Sequence, residues 1–379
     1  MLNPSAADAQ SPVLPGAAVE KIADGFQFTE GPVWKDGEGL YFSDIDGNTV
    51  YLWSEQLGAK PFLQPSGKAN GLAFDSRGRL LLAQQGARRV IRLEPDGSQT
   101  VLAERYAGKR LNSPNDIAVA SDGSIFFTDP PYGISQGQAE LGFSGIYRID
   151  PSGNLQLLDK TLSRPNGIVF SPDGQRLYVA DSEARVVYVW DVLSESALAN
   201  KKPFASIKPL GYADGMKVDS SGNVYSTGPL GVWVFSPDGA VLDTILVPGQ
   251  TTNCNWGDWD RKTLYITSGT AVYRVRVGAT RVHPSKRKAG AFRKPELHSN
   301  HPNPFNPTTT IGYTMAEGGY ASLKIMDVYG REVSTLVQGY LQPGTHTSEF
   351  NAANLAAGVY VYGLKAGGGF SARKMVLLK

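Results

Sequence analysis

Lys109–Gly133 reads KRLNSPNDIAVASDGSIFFTDPPYG, and the order of its polar and apolar residues decides the fold. An Asn-Asp pair (Asn115, Asp116) opens an apolar run, Ser121-Asp122-Gly123 supplies a turn, and a second apolar run ends on Asp129. Such a pattern predicts an antiparallel hairpin whose return brings Asp129 back beside Asn115 and Asp116. Oxygen-bearing side chains then gather at one rim.

The hairpin recurs along the chain. Related units begin EGPVWKDGEGLYFSD at Glu30, NGLAFDSRGRLLLAQ at Asn70, NDIAVASDGSIFFTD at Asn115, NGIVFSPDGQRLYVAD at Asn166, DGMKVDSSGNVYSTG at Asp214 and NCNWGDWDRKTLYITS at Asn253. Their starts lie between 39 and 51 residues apart, the span of one propeller blade. Each unit reads as a polar residue, an apolar strand, a turn, a second strand and often a third, such as VIRLEPDG or GIYRIDPSG. Six copies predict an all-β fold headed by a six-bladed β-propeller over residues 16–278. The sixth unit runs out at VYRVRV, and AVEKIADGFQF near residue 18 is expected to supply its outer strand.

Composition agrees. The chain has 43 Gly and 24 Pro in 379 residues, which suits short strands and tight turns. Its 37 basic and 35 acidic residues leave a formal charge of +2, so nucleic acid is not expected as a partner. Cys254 is the single cysteine, which excludes an intrachain disulfide and a thiolate cluster. No apolar run approaches the roughly 18 residues of a membrane span. Residues 1–15 read as a flexible leader without the basic and apolar regions of a signal peptide.

After Val277 the character changes. Residues 279–301 carry Arg281, Lys286, Arg287, Lys288, Arg293 and Lys294 with little apolar periodicity, and read as an exposed basic linker. All four histidines lie in or beyond it. Residues 302–379 alternate apolar and polar positions across short strands, which predicts a small immunoglobulin-like β-sandwich. Asn303–Pro307 (NPFNP), LKIMDVYGREV, LAAGVYVY and KMVLLK closely resemble, in order, the C-terminal sorting domain of the type IX secretion system. The resemblance implies a bacterial protein handed to outer-membrane secretion machinery and released or held at the cell surface.

In a propeller the first residue of each unit projects to the same rim of a central channel. Here those residues are Glu30, Asn70, Asn115, Asn166, Asp214 and Asn253, all carboxylates or carboxamides. Asn-Gly pairs favour tight strand entry, which explains part of the recurrence. Two carboxylates among neutral oxygens also make a hard-cation site, with Ca2+ first and Mg2+, Mn2+ or Zn2+ as alternatives. Strand ends Asp44, Gln84, Asp129, Asp181, Gly228 and Ser268 form a second tier, in which Asp44, Asp129 and Asp181, with Asp116, are expected to orient the first.

TEGPVW (29–34), RLNSPNDI (110–117), FTDPPYG (127–133), RPNGIVFSPDG (164–174), ADGMKVDSSGNVY (213–225) and TLYIT (263–267) closely resemble the bacterial gluconolactonases of the senescence-marker, gluconolactonase and luciferin-regenerating-enzyme family. The resemblance implies a metal-dependent lactonase with one divalent cation in the channel. Carried over by motif, Glu30, Asn166 and Asp214 are ligands, Asn115 is a fourth ligand or a substrate contact, and Asp214 is the candidate general base. Arg110, Asn112 and Tyr132 are weaker candidates for lining the pocket, with Asn253 beside them. Trp256, Asp258 and Trp259 replace a glycine-rich stretch of the family and are expected to reshape one pocket wall. The expected reaction is hydrolysis of a sugar-acid lactone. The alternatives are an esterase or phosphotriesterase at the same metal, and a non-catalytic sugar-binding propeller.

Overall fold

Leu80–Gln84 shows how the larger unit is built. Period-two alternation sends Leu80 and Leu82 into a cluster with Val33 and Tyr41 of the preceding sheet, while Leu81 and Ala83 join Ile117, Phe127 and Tyr147 of the next. A strand apolar on both faces must lie between two other sheets. The computed structural model describes residues 17–194, 197–207, 211–278, 296–315, 319–327, 332–366 and 369–378.

Among the described residues the larger unit has six four-stranded antiparallel sheets, each led by one of the repeated units, and one two-stranded sheet of Arg105–Tyr106 with Lys109–Arg110. Their first strands are Thr29–Lys35, Ala69–Phe74, Ile117–Val119, Pro165–Phe170, Met216–Val218 and Thr251–Gly257. In the third sheet Ile117 pairs with Phe127 and Val119 with Ile125, and Asp129 closes the second strand. The expected hairpin is therefore present in that register. Glu20–Asp24 pairs with Ala271–Arg276 and is the outermost strand of the sixth sheet, so the start of the unit is built into its last sheet.

Apolar clusters join successive sheets. Phe126 packs with Ile168, Leu177 and Trp190 of the fourth, and Leu40, Phe42 and Trp53 of the first pack with Tyr265 and Val272 of the sixth. Fully burying such a side chain stabilises by about 2 kcal/mol, so these clusters supply the bulk of the cohesion between sheets.

The second unit has two sheets. One contains Glu296–Leu297, Thr308–Met315 and Gly344–Asn351, the other Glu332–Leu341, Gly319–Met326, Gly358–Ala366 and Gly369–Leu377. They share one core that includes Ile311, Tyr313, Leu323, Tyr362 and Met375. Asn303 Oδ1 accepts from Val376 N–H at 3.0 Å, and Phe305 N–H donates to the Val376 carbonyl at 2.9 Å. The NPFNP motif is thus pinned to the final KMVLLK strand. Glu296–Leu297, expected in the linker, instead pairs with Tyr313 and Thr314, because Leu297 is an apolar residue the core can bury. The leader and the cationic stretch 281–294 lie outside the described residues. No helix among the described residues is long and apolar enough to cross a membrane.

Candidate functional site

Hydrogen bonds link the six unit starts in cyclic order. Ser43 Oγ donates to the Asn70 carbonyl at 2.7 Å, Gly71 N–H to Asn115 at 2.7 Å, and Thr128 Oγ to Asn166 at 2.7 Å. Ser182 Oγ then donates to Ala213 at 2.6 Å, Thr227 Oγ to Thr252 at 2.7 Å, and Thr252 Oγ to Thr29 at 2.8 Å. The last bond returns from the sixth sheet to the first. Each residue that carries a candidate oxygen ligand, or its neighbour, is thereby held through its backbone.

The glycines after the ring residues have a cause that strand entry does not supply. A Cβ on Gly167 would lie 2.4 Å from the Asp214 carbonyl oxygen, and one on Gly215 would lie 2.0 Å from Cγ of Asn253. Adjacent first strands come so close that only glycine fits.

The strand-end carboxylates act on loops. Asp44 accepts from Gln27, Phe28 and Gly47 N–H. Asp129 accepts from Asn112 and Ser113 N–H at 2.8 and 2.7 Å, and Asp181 from Ser163, Arg164 and Ala184 N–H. In each case the carboxylate fixes the segment just before Glu30, Asn115 or Asn166. Asp129→Ala strands two buried N–H donors, and a loss of about 3 kcal/mol is expected in urea unfolding of the larger unit.

At the ring, Glu30 is buried, and its Oε2 accepts from Gly31 N–H at 2.7 Å and from Asn253 Nδ2 at 3.1 Å. Burial pushes Glu30 up to about 7; the Gly31 N–H and Asn253 pull the other way, and the Asp116 charge reinforces the rise. Asp214 is raised well above the carboxylate range by burial first, then by the charges of Glu30 and Asp116, with the neighbouring Asn166 amide pulling the other way. Its Oδ1 is buried with no hydrogen-bond partner. Asn166 donates Nδ2 to Ser182 Oγ at 3.2 Å, which leaves its Oδ1 buried and unpartnered as well. Tyr132 is brought to the same half of the ring: its hydroxyl is shifted upward by burial and interacts with Ser182, Asn166 and the Asp214 charge, while Arg164 lies over its ring at 5.3 Å.

Asn115 is buried, its N–H donating to Thr128 and its carbonyl accepting from Gly71. Asp116 spends its two oxygens on Ile117 and Ile168 N–H while its charge reaches Glu30 and Asp214. Asn112 and Arg110 are engaged elsewhere. Asn112 Nδ2 donates to the carbonyls of Asp129 and Phe143, and Arg110 donates to the Ala87 carbonyl and, through its N–H, to Glu140. Both hold the loop before Asn115. Trp256 is buried between the fifth and sixth sheets, with Nε1 donating to Val218 and its ring edge-on to Tyr225 at 4.8 Å. Trp259, 74% exposed, lies in the turn at the opposite end of its strand from Asn253, where Asp258 accepts from Tyr265. Neither tryptophan walls the ring, because the extra aromatic bulk goes into the sheet interface and the far turn.

Sequence reading missed the hydroxyls Ser43, Thr128, Ser182 and Thr227. Their signal is a Ser or Thr beside the strand-end residue in FSD, FTD, ADS and STG. It also missed Lys217, whose Nζ donates to the Met216 carbonyl at 3.0 Å and whose charge favours ionised Glu30. Among the described residues no three His, Cys, Asp or Glu side chains converge as a ligand set, so the amide oxygens decide what the ring can hold. Carboxylates and carboxamides without imidazole or thiolate suit a hard cation or a polyhydroxylated ligand.

Residues 28–270 match the SMP-30/gluconolactonase/LRE-like region, and residues 299–378 match the secretion system C-terminal sorting domain. A gluconolactonase of Zymomonas mobilis is 36% identical over 288 residues, covering 68% of this chain and 81% of its own. A pentonolactonase of Haloferax volcanii is 28% identical, covering 63% of this chain and 80% of its own. The solved structure of a gluconolactonase from Xanthomonas campestris superposes with a TM-score of 0.66 at 36% identity, covering 70% of this chain and 91% of its own. With its motifs in order and its family match spanning all six sheets, the chain belongs to the SMP-30/gluconolactonase/LRE-like family and ends in a secretion sorting domain.

Proposed function

We propose that this protein is a six-bladed β-propeller that opens sugar lactones at its central channel, with one divalent cation, Ca2+ first, held by Glu30, Asn166 and Asp214 and with Asn115 alongside. The observation that carries the reading is the pair of buried, unpartnered oxygens, Asn166 Oδ1 and Asp214 Oδ1, beside buried Glu30. Leaving such acceptors empty costs about 1–3 kcal/mol each, so a ring that keeps them is built for a ligand. That the protein is a lactone hydrolase rests on its gluconolactonase and pentonolactonase relatives.

A bound divalent cation supplies Lewis-acid polarisation of the lactone carbonyl. The residues do the rest. Asp214 accepts a proton from the attacking water, whose oxygen bonds to the carbonyl carbon. The ring C–O bond then breaks, and the departing oxygen takes that proton from Asp214 and leaves as the hydroxyl of a hydroxy acid. Gly31 N–H, Asn253 and Lys217 favour the ionised form of Glu30 against the effect of burial. Tyr132, backed by Arg164, closes one side of the site against water. No histidine is required: His298, His301 and His346 belong to the second unit, and His283 lies outside the described residues. The second unit, read as an immunoglobulin-like sandwich, directs type IX export to the outside of the cell.

A pH-stat assay on a panel of sugar lactones, with and without chelator, tests the reading. Acid release that stops with chelator and returns with Ca2+ is the expected result. Tight sugar binding without turnover would instead make the ring a recognition site. Cation at a hundredfold excess over its dissociation constant should stabilise the larger unit by about 3 kcal/mol, read as a rise in melting temperature.

A further inference from the structure

The ring holds a third buried oxygen without a partner, Oδ1 of Asn70, and neither the cation nor the general base uses it. Asn70 is only 3% exposed. Its Nδ2 donates to Gln85 Oε1 at 3.0 Å, which fixes the amide so that the oxygen is the atom left over. Its backbone is fixed as well, since its carbonyl accepts from Ser43 Oγ. In the cyclic order Asn70 belongs to the second sheet and Asp214 to the fifth, so the two residues stand on opposite sides of the ring.

The surroundings of Gln85 connect this side to the rim. Ser113 Oγ donates to the Gln85 carbonyl at 3.4 Å and accepts from Gly133 N–H at 2.8 Å. A Cβ on Gly133 would lie 2.6 Å from Gln85 Cγ and 2.5 Å from Ser113 Oγ, so the Pro130–Gly133 loop is seated directly on these two side chains. Tyr132 of that loop has the Arg164 guanidinium, two residues before Asn166, over its ring at 5.3 Å. Asn70, Gln85, Ser113 and Tyr132 thus form one arc over the second to fourth sheets.

We infer that Asn70, oriented by Gln85, is a substrate-binding residue whose Oδ1 accepts a hydrogen bond from a hydroxyl group of the lactone, and that it selects hydroxylated over deoxygenated lactones. The inference rests on the lactonase reading above. A rigid, buried acceptor discriminates strongly, because a substrate lacking the hydroxyl leaves the oxygen unpaired.

The test compares wild type, Asn70→Leu and Asn70→Asp on glucono-1,5-lactone and its monodeoxy analogues, with Ca2+ binding followed by calorimetry. Asn70→Leu should raise KM for the parent lactone about tenfold with kcat changed far less. One monodeoxy lactone should show the same loss with wild type and no further loss with Asn70→Leu. Asn70→Asp, which keeps an acceptor, should retain the preference. Equal losses on every analogue, no loss at all, or weakened Ca2+ binding by Asn70→Leu would overturn the inference. If Asn70→Leu does not fold, Gln85→Leu should reproduce the KM effect by releasing the amide, and an unchanged KM overturns the inference. Wild type that opens no lactone overturns the parent reading, a result distinct from these.

Discussion

Asp214→Asn will reduce kcat/KM for sugar lactones by about a thousandfold or more, the scale expected when a general base is removed. The same variant will melt at or above the wild-type temperature when no divalent cation is present. Asp214 carries a buried oxygen with no partner, and its carboxylate faces the charges of Glu30 and Asp116. Replacing it by a neutral amide of nearly equal volume removes that repulsion and lets the side chain donate to an oxygen nearby. With Ca2+ the order reverses, because wild type gains stability through binding and the variant does not. Activity and apo stability therefore move in opposite directions. A purely structural Asp214 would lower both together, so differential scanning calorimetry with and without chelator separates the two roles. A fall in apo melting temperature by several degrees would sink the assignment.

Much of this architecture was legible because it is written in local chemistry. The Ser-Asp-Gly turn after Ala120 and the apolar runs around it fix the hairpin that pairs Ile117 with Phe127. The exhausted sixth unit pointed to the N-terminal strand, and Glu20–Asp24 does pair with Ala271–Arg276. Ring membership followed repeat position, but the bonding did not repeat strictly: Asn70, Asn115 and Asn166 accept through their own carbonyls, whereas Thr29, Ala213 and Thr252 accept in place of Glu30, Asp214 and Asn253.

Side chains in loops were another matter. Asn112 and Asn115 lie three residues apart with the same amide, yet Asn112 is spent on the carbonyls of Asp129 and Phe143. Residue type gives the donor count, but the partner at residue 143 is known only once the third sheet has formed. Trp256 was misplaced for a related reason. Strand alternation tells which face a residue takes, and only the neighbouring sheet decides whether that face is pocket or core. The Asn-Gly pairs carried two readings in sequence, and the close approach of adjacent strands at Gly167 and Gly215 supplies the one that the structure uses.

That close approach makes Gly31→Ala a severely damaging substitution in the larger unit. Gly31 has φ of +49°, and a Cβ there would lie 2.1 Å from the Asn70 carbonyl oxygen and 2.9 Å from Gly71 Cα. The obstacles are backbone atoms of the next sheet, so no rotamer change relieves them. The first and second sheets would have to separate at the ring. The left-handed conformation alone costs an alanine about 1 kcal/mol, which Gly123→Ala isolates, because Gly123 has φ of +89° and nothing within 4 Å of its Cβ position. Overlap with backbone at Gly31 adds to this, and a total on the order of 4 kcal/mol is expected, or about 10 °C in melting temperature. Activity should fall by more than stability alone explains, since the shift moves Glu30 and Asn70 apart, the first a proposed cation ligand and the second a proposed substrate contact. At a temperature where Gly31→Ala is still folded by circular dichroism, kcat/KM should drop roughly a hundredfold, while Gly123→Ala keeps wild-type turnover. Equal behaviour of the two variants would mean that the first strands do not meet at the ring, and the shared site would have no structural basis.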